Sequence, residues 1–369
     1  MNKLRIAQIV PIWGVYDPES STGINLVARE LTRGLINHGH KVTIIAPRGS
    51  FKDEGTELIE TIEPLTLRKL SLFDEEALAY SLIHGSMAVS YASSFDVIHN
   101  HMEHLFMPFV SLIKTPVVTT IHGVNFPASA RAIFTYYNNH SYVSISRKSK
   151  EVLPFINFCE TVHNGIQIND YKLSDTGGKK LVFLGRLVPE KGAHTAIEVA
   201  RISKLPLVIA GQKEAGAEDY FEKLQKQAVS ADVTFVQWLD FHEKIKLLQE
   251  ALALLFPINW EEPFGLVMTE SMACGTPVLA FAKGSIPEIV KDGETGFIVD
   301  SSEEDKRGDF IIKRTGIDGL TEAVERIYAM SPEEYQKMRL ACRKHVEDNF
   351  TIEKMVDGYE KVYEKVLSI

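Results

Sequence analysis

Short apolar runs that alternate with segments of helical periodicity restrict the fold of this sequence more than any other feature. Residues 4–10 are rich in Ile and Val and end at Pro11, which is typical of a buried strand. Apolar residues recur at helical spacing over residues 24–35, and a second strand is predicted at Lys41–Ala46. A strand, a helix and a strand in this order form a βαβ unit, which implies a parallel sheet.

The same alternation runs through the rest of the chain with one interruption. Residues 164–179 contain Asn-Gly, Asn-Asp and Gly-Gly pairs and little periodicity, which is typical of a linker. Strand and helix patterns resume at Lys180–Leu184 and end in three helical stretches, about residues 318–330, 332–349 and 351–369. The sequence therefore predicts the α/β class, with two doubly wound Rossmann-like domains at residues 1–165 and 166–350.

Four local predictions can be compared with the structure. Residues 103–113 are predicted to be a helix, and Ser146 is predicted to cap the helix that follows it. The segment after residue 122 is predicted to be an aromatic loop, which forms either a stacking site or part of the core. Residues 301–315 are polar and are predicted to be an exposed insertion.

Composition and charge exclude several classes of protein. The chain has 369 residues, 45% hydrophobic and 24% charged, which rules out a wholly disordered protein. Its 40 basic and 49 acidic residues give a net charge of −9. We therefore expect no nucleic-acid partner and at most peripheral membrane contact, although a local basic pocket remains compatible with this total. Three widely spaced cysteines and the lack of a long apolar run predict a cytoplasmic protein.

Residues 259–275, which read NWEEPFGLVMTESMACG, combine a predicted helix start with two carboxylates. Pro263 suits the first turn of a helix, and the backbone amides of Phe264, Gly265 and Leu266 would then face an anion such as phosphate. Glu262 before the helix and Glu270 within it could accept hydrogen bonds from hydroxyl groups. The alternative is that Glu262 complements the helix dipole and that Glu270 is a solvated surface residue.

Residues 185–192, which read GRLVPEKG, follow a predicted strand directly. Gly185 permits a tight turn, and Arg186 and Lys191 both emerge at the carboxyl end of that strand. A planar guanidinium and a compact ammonium together suit a diphosphate. The alternative is that both are ordinary surface cations on a loop.

Glycine and histidine supply three further candidates after predicted strands. Gly23 opens the first helix in the turn Ser21-Thr22-Gly23, where it would let backbone amides approach an anion or would form an ordinary capping turn. His122 ends the apolar strand 116–121 and could hydrogen-bond a ligand. The other candidate is a cluster with metal-ligand spacing, formed by His99, His101 and His104. It suggests a metal-dependent hydrolase as an alternative function, but no carboxylates complete that site and we expect no metal.

Together these motifs resemble the retaining nucleotide-sugar glycosyltransferases of family 4, which have the GT-B fold of two Rossmann-like domains facing one cleft. The resemblance covers nearly the whole chain, and the first domain is similar to the avilamycin-type branch. It rests on the motifs above and on shorter ones at Asn164-Gly165-Ile166, His122-Gly123, Gly275-Thr276-Pro277-Val278, Pro287-Glu288-Ile289-Val290 and Gly293-Glu294-Thr295-Gly296.

The resemblance implies a role for each candidate residue. Arg186 and Lys191 would bind the donor diphosphate, and Gly23 and Gly185 would let the backbone approach it. Glu262 would bind the sugar hydroxyls, Glu270 would bind the ribose, and His122 would contact the sugar or the acceptor. The amides of residues 264–266 would support the sugar and the phosphate.

The resemblance also implies a function and a domain arrangement. The chain would be a hexosyltransferase-type enzyme (EC 2.4) that needs no cofactor and no metal, and it would transfer a sugar from a nucleotide diphosphate sugar, with a UDP-sugar as the expected donor. The acceptor would be a small molecule or a glycan. The donor would bind to domain 166–350, and the last helix, about 351–369, would pack back on the acceptor-side domain 1–165. A protein that binds nucleotide sugars without turnover is a further alternative.

Two positions depart from the family pattern. Thr22 precedes Gly23 where many relatives have a second glycine, and Gln237 stands where the family usually has glycine, beside Trp238. These departures leave the identity of the donor base open.

Overall fold

The computed structural model describes residues 3–17, 23–68, 74–174, 176–214, 216–237 and 239–368. The chain divides into two compact units, which we call the first unit (Met1–Gly165 with Ile352–Ile369) and the second unit (Ile166–Thr351). Each unit is built on its own parallel sheet with flanking helices, which confirms the predicted α/β class with two doubly wound sheets.

The first unit contains a seven-stranded sheet in the order β3-β2-β1-β4-β5-β6-β7. Its strands are β1 Arg5–Ile9, β2 Lys41–Ala46, β3 Glu57–Glu60, β4 Val97–Asn100, β5 Val117–Ile121, β6 Ser141–Ser144 and β7 Phe158–Thr161. All its strand pairs are parallel. The central strands β4 and β5 are buried at every position, as expected for a sheet covered on both faces.

Among the described residues, five α-helices lie between these strands, and they are α1 Gly23–Asn37, α2 Leu65–Arg68, α3 Glu75–Val89, α4 Ala128–Tyr136 and α5 Arg147–Val152. The Ser146 side chain accepts a hydrogen bond from the amide of Ser149 in a reciprocal capping box, which confirms the predicted cap of α5.

The second unit contains a six-stranded parallel sheet in the order β10-β9-β8-β11-β12-β13. Its strands are β8 Lys180–Leu184, β9 Leu207–Ala210, β10 Val233–Val236, β11 Ala251–Phe256, β12 Val278–Phe281 and β13 Gly296–Val299. Its helices are α6 Ala193–Ser203, α7 Glu218–Ala228, α8 Phe241–Gln249, α9 Leu266–Ala273, α10 Ile286–Ile289, α11 Gly316–Tyr328 and α12 Pro332–Asn349.

The last helix, α13 at Ile352–Leu367, belongs to the first unit. It packs against α1, β5 and β7. Its buried face follows helical spacing and consists of Ile352, Met355, Val356, Tyr359, Val362 and Tyr363. A Cβ atom on Gly34 of α1 would lie only 2.4 Å from Val356 Cγ2, so the two helices approach closely at this glycine. Among all the described helices, none is both long and apolar enough to cross a membrane.

The strand order of each sheet reverses beside its first strand, between β1 and β4 in the first unit and between β8 and β11 in the second. In open α/β sheets, ligands bind outside the carboxyl ends of the strands at such reversal points. The residues that follow β1, β4, β8 and β11 therefore occupy the positions where this architecture places a ligand.

One local prediction was wrong, and two others were borne out in part. Residues 103–113 form two 3-10 segments, Glu103–Leu105 and Met107–Leu112, instead of one helix, because Glu103 has a left-handed backbone and Pro108 cannot donate an intrahelical hydrogen bond. Within the predicted aromatic loop, Phe134 lies on helix α4 and is buried in the core, so the core alternative is confirmed at this residue. The predicted exposed insertion at residues 301–315 is exposed or half-buried except at Ile312, which is buried.

Candidate active site

A largely buried ion pair joins the carboxyl ends of the two central strands of the second unit. Lys191, beyond β8, has its Nζ 2.8 Å from Oε2 of Glu262, which lies beyond β11. The indole Nε1 of Trp260 donates to the same oxygen at 2.9 Å, and the Lys191 ammonium lies 4.5 Å from a Trp260 ring centre. Among the described residues no group donates to Oε1 of Glu262, so this oxygen can accept a hydrogen bond from a ligand.

The backbone around Lys191 permits only glycine at the next position. Gly192 has φ +77°, and a Cβ atom there would lie 2.0 Å from the carbonyl oxygen of Pro257. The amide of Asn259 also donates to the carbonyl of Glu190 at 2.8 Å. The loops that follow β8 and β11 are therefore fastened together through their backbones, which places Lys191 beside Glu262.

The loop after β12 holds the main chain of Glu262 from the other side. A Cβ atom on Gly284 would lie 2.2 Å from the amide nitrogen of Glu262. The amide of Ser285 donates to the carbonyl of Glu262 at 2.9 Å, and its hydroxyl donates to the carbonyl of Phe264 at 3.0 Å. The segment that follows Phe281 thus positions the candidate carboxylate.

Residues 301–315 contact the loops that carry Glu261 and Gly284. Arg307 binds Glu261 with 2.7 Å between Nη2 and Oε1, and the amide of Gly284 donates to Oε2 of Glu261 at 2.7 Å. Lys283 forms an ion pair with Asp305. The sequence suggested no role for this segment, because its contacts join residues more than 20 positions apart.

The helix α9 begins directly after these carboxylates. Gly265 precedes it with φ +77°, and no acidic residue lies in its first turn. The first amides of a helix have no intrahelical acceptors, and the helix dipole adds positive potential there. The Phe264 side chain is buried against Phe350, whereas Gly265 and Leu266 supply the backbone at the helix start.

Glu270 on α9 is buried instead of solvated. Its Oε1 accepts hydrogen bonds from the Tyr171 hydroxyl at 3.0 Å and from Nζ of Lys244 at 2.6 Å. Lys244 is carried by α8, whose start is fixed by a capping box between Asp240 and Glu243. Sequence reasoning missed both partners of Glu270, since Tyr171 lies 99 positions away and Lys244 is one of several lysines near α8.

Arg186 stands apart from the Lys191–Glu262 pair. Its side chain is 54% exposed and forms an ion pair with Glu214. The backbones of Gly185 and Gly211 approach each other closely. A Cβ atom on Gly211 would lie 1.8 Å from the carbonyl oxygen of Gly185. The structure therefore brings Lys191 and Glu262 together, while Arg186 and Glu270 contact other partners.

The first unit places His122 and Glu103 beside each other. The amides of His122 and Gly123 both donate to Oε1 of Glu103 at 2.7 Å. Burial lowers the pKa of His122 to about 3, and it raises the pKa of Glu103 to about 7 against the opposite effect of the two amide donors. Glu103 also has φ +53°, a backbone conformation that costs energy in a non-glycine residue.

Glu103 was missed by the sequence analysis, although it lies two positions after the H-x-H motif at the end of β4. Gly23, by contrast, is the first residue of α1 and is exposed. Its neighbours Ser21 and Thr22 lie outside the described residues, as does Trp238.

Of the histidines proposed as metal ligands, His99 and His101 hydrogen-bond other residues, and the His104 ring packs edge-on against Phe126 and Phe134. His99 hydrogen-bonds Thr120 and Tyr363, and His101 hydrogen-bonds His122 and Gln8. In the part of the chain that the structure describes, one group has metal-ligand geometry, and it consists of His38, Asp357 and Glu360. The predicted histidine cluster is therefore not assembled for a metal, and a metal-dependent hydrolase is not favoured.

Two family models match consecutive parts of the chain. Glycosyltransferase Family 4 matches residues 21–169, and Glycosyl transferases group 1 matches residues 167–315. A 41.2 kDa protein from the cps region of Klebsiella pneumoniae is 28% identical over 225 residues, which cover 60% of this chain and 53% of that protein. Glycogen synthase of Mycobacterium tuberculosis is 25% identical over 398 residues, which cover 94% of this chain and 92% of the synthase.

Solved structures share the fold over nearly the whole chain. Sucrose-phosphate synthase from Thermosynechococcus elongatus aligns with a TM-score of 0.79 and 20% identity, covering 99% of this chain and 100% of that one. AviGT4, a glycosyltransferase of avilamycin A biosynthesis, aligns with a TM-score of 0.72 and 20% identity over 99% and 98% of the two chains. Anabaena HepE in complex with UDP-glucose aligns with a TM-score of 0.73 and 16% identity over 99% and 100%.

The two sheets, the family models and these structures define the protein as a glycosyltransferase (EC 2.4) with the GT-B fold. Within that class, the two family models, which together match residues 21–315, are consistent with the family-4 type of glycosyltransferases.

Proposed function

We propose that the protein is a retaining, metal-independent glycosyltransferase that transfers a sugar from a nucleotide diphosphate sugar to a glycan or small-molecule acceptor. The observation that carries this proposal is the Lys191–Glu262 pair at the strand-order reversal of the second unit, beside the start of α9. UDP-glucose is bound by the similar Anabaena protein HepE, which supports a UDP-sugar as the donor.

The leaving diphosphate needs positive charge, and the second unit offers several sources of it. Lys191 is a compact cation held in place by Trp260 and Glu262. Arg186 is mostly exposed, so exchanging Glu214 for a phosphate costs little free energy. The amides at the start of α9 add donors that need no rearrangement. These groups can stabilise the leaving group without a metal ion.

Two carboxylates of the second unit can recognise hydroxyl groups. Oε1 of Glu262 is the proposed acceptor for a sugar hydroxyl, because Lys191 and Trp260 both bind the other oxygen. Glu270 is the proposed ribose ligand, and its Oε2 is the oxygen to which neither Tyr171 nor Lys244 donates.

Retention of the anomeric configuration follows from a front-face reaction, which we include in the proposal. The bond from the anomeric carbon to the phosphate oxygen breaks as the bond to the acceptor oxygen forms on the same face. The acceptor proton passes to the leaving phosphate. We place acceptor binding on the first unit, at His122, whose backbone Glu103 holds by accepting from the amides of His122 and Gly123.

A donor panel tests the proposal directly. The purified protein is heated with UDP, GDP, ADP and TDP sugars, each near a hundred times its dissociation constant. The correct donor stabilises the fold by about 2.7 kcal/mol. If no nucleotide sugar raises the melting temperature, the proposed donor class is wrong.

The Lys191→Ala variant tests the role of the ion pair. We expect donor affinity to fall by about tenfold or more, because one charge-assisted contact to phosphate is lost. Lys344→Ala serves as a matched control, since that side chain is 74% exposed and, among the described residues, bonds only Asp348 on its own helix. Equal affinity in both variants would remove Lys191 from the diphosphate site.

Turnover separates an enzyme from a protein that only binds the donor. With a suitable acceptor or water, the wild type releases nucleoside diphosphate, and Glu262→Gln is expected to release it much more slowly. NMR of the product shows whether the anomer is retained. Undiminished activity in the presence of EDTA is the expected result for a metal-independent enzyme.

A further inference from the structure

A line of buried polar side chains lies behind His122 in the first unit. Nε2 of His122 is 2.9 Å from Nδ1 of His101, and Nε2 of His101 is 2.5 Å from Oε1 of Gln8. His101 and Gln8 are fully buried, and His122 is nearly so. The three residues come from three adjacent strands or their ends, β1, β4 and β5, so the sheet itself fixes their spacing.

The direction of these hydrogen bonds follows from the chemistry at Gln8. Its Oε1 is a carbonyl oxygen and can only accept, so Nε2 of His101 must carry the proton. Burial keeps His101 neutral by lowering its pKa, so Nδ1 of His101 has a lone pair. That lone pair accepts from Nε2–H of His122.

The remaining ring nitrogen of His122 is then Nδ1, and it carries no proton. Among the described residues no group hydrogen-bonds this atom. Glu103 holds the backbone of the same residue by accepting from the amides of His122 and Gly123. His122 is thus fixed in both position and tautomer, and it can only accept a hydrogen bond at Nδ1.

We propose that Gln8 and His101 are positioning residues that hold His122 as the Nε2-protonated tautomer, so that Nδ1 accepts a hydrogen bond from a substrate hydroxyl group. The tautomer is a property of the chain itself. The identification of the hydroxyl as one on a sugar or an acceptor rests on the proposed function. A ligand that offers only acceptors at this position would be rejected.

The tautomer can be measured without any substrate. Two-bond proton–nitrogen correlation spectra of the full-length protein with ¹⁵N-labelled histidine distinguish protonated from unprotonated ring nitrogens, and the spectrum of His122→Phe assigns the signals of His122. We expect Nε2 to be protonated and Nδ1 to be unprotonated. A His122 with its proton on Nδ1 would overturn the proposal.

Two variants at Gln8 test the cause. In Gln8→Glu the new carboxyl group still accepts from His101, so the His122 tautomer should be preserved. In Gln8→Met the acceptor is absent, so His101 is free to take either tautomer and the Nδ1 signal of His122 should shift towards the protonated form. If the His122 spectrum of Gln8→Met matches that of the wild type, Gln8 does not set the tautomer.

Kinetics connect the tautomer to the reaction. We expect Gln8→Met to lower kcat/KM by about tenfold, which corresponds to the loss of one hydrogen bond. The kcat/KM of Gln8→Glu should be much closer to that of the wild type. A merely structural role would lower the melting temperatures without changing the tautomer. An enzyme that fails to transfer sugar in the wild type would contradict the proposed function, while the spectra would still decide the tautomer.

Discussion

At the scale of single residues, the environment of each carboxylate decides what it can do. Glu262 forms an ion pair with Lys191, and Glu270 forms one with Lys244, so each of these buried carboxylates lies beside a cation. Glu103 has no cation beside it among the described residues and binds two backbone amides instead. Burial therefore dominates at Glu103, and its pKa rises to about 7.

The raised pKa of Glu103 predicts a pH-dependent stability. Its protonated form is favoured in the folded state, so the stability it contributes is complete below pH 4.5 and is lost as the pH rises through about 7. The loss is at most about 3 kcal/mol, and less because the residue is only half-buried. Urea unfolding between pH 4.5 and 8 should show a smaller decline for Glu103→Gln, while Glu54→Gln, at an exposed position, should follow the wild type.

The pair of Lys244 and Glu270 predicts a second residue-level effect. Lys244→Ala leaves the buried Glu270 with Tyr171 as its remaining described donor, so unfolding free energy should fall by about 1–2 kcal/mol. Lys246→Ala on the same helix removes a side chain that is 74% exposed and should change stability by less than about 0.5 kcal/mol. If chemical denaturation gives the same loss of unfolding free energy for Lys244→Ala and Lys246→Ala, the Lys244–Glu270 pair does not stabilise the fold.

At the scale of elements, sequence patterns predicted the strands with continuous apolar runs and the helices with caps. They failed where an element has no such signal. The edge strand β3 begins and ends with glutamate, and β13 begins at a glycine. Residues 103–113 have helical spacing, but Glu103 adopts a left-handed backbone that interrupts the helix.

In the candidate site, too, some features could be predicted from the sequence and others could not. The loops that carry Lys191 and Glu262 could be identified because each follows an apolar strand. The Tyr171 and Lys244 contacts, the tautomer of His122 and the bracing by Arg307 depend on residues distant in sequence. No periodicity of one segment encodes such pairings, so they emerge only once the sheet order is known.

Gly192 predicts an effect on the loop between β8 and α6. Gly192→Ala combines φ +77° with a 2.0 Å contact to the Pro257 carbonyl, so it should destabilise the protein by at least about 2 kcal/mol and weaken donor binding by moving Lys191. Gly216→Ala is the control, because that residue has φ +84° but nothing within 4 Å of a new Cβ atom. It should cost only about 1 kcal/mol. If thermal melting shows that Gly192→Ala and Gly216→Ala lose the same amount of stability, the close contact with Pro257 does not add strain at Gly192.

At the scale of the whole molecule, the chain passes from the first unit to the second at residues 165 and 166 and returns at residues 351 and 352. The returning helix α13 supplies Tyr359 and Tyr363, which are fully buried and hydrogen-bond Thr120 and His99. The first unit therefore contains residues from two distant parts of the chain, whereas the second is continuous.

Removal of residues 352–369 should unfold the first unit selectively. Burial of each apolar side chain of α13 contributes about 1.5–3 kcal/mol to the free energy of unfolding. Six such side chains are buried, and their summed contribution is as large as the typical net stability of a protein, about 5–15 kcal/mol. Limited proteolysis with mass spectrometry should then find new cleavage sites within residues 3–165 and few within 166–351. Removal of residues 368–369 alone is the control and should leave the digest unchanged.

The return of α13 also sets an order for biosynthesis. Domains usually fold in the order in which the ribosome releases them, at roughly 5–20 residues per second. Here the second unit is complete while the first still lacks α13, and the 186 residues of the second unit take roughly 10–40 s to translate. During that interval the nascent first unit presents the uncovered surface of α1, β5 and β7, which is the surface that a ribosome-associated chaperone would have to shield.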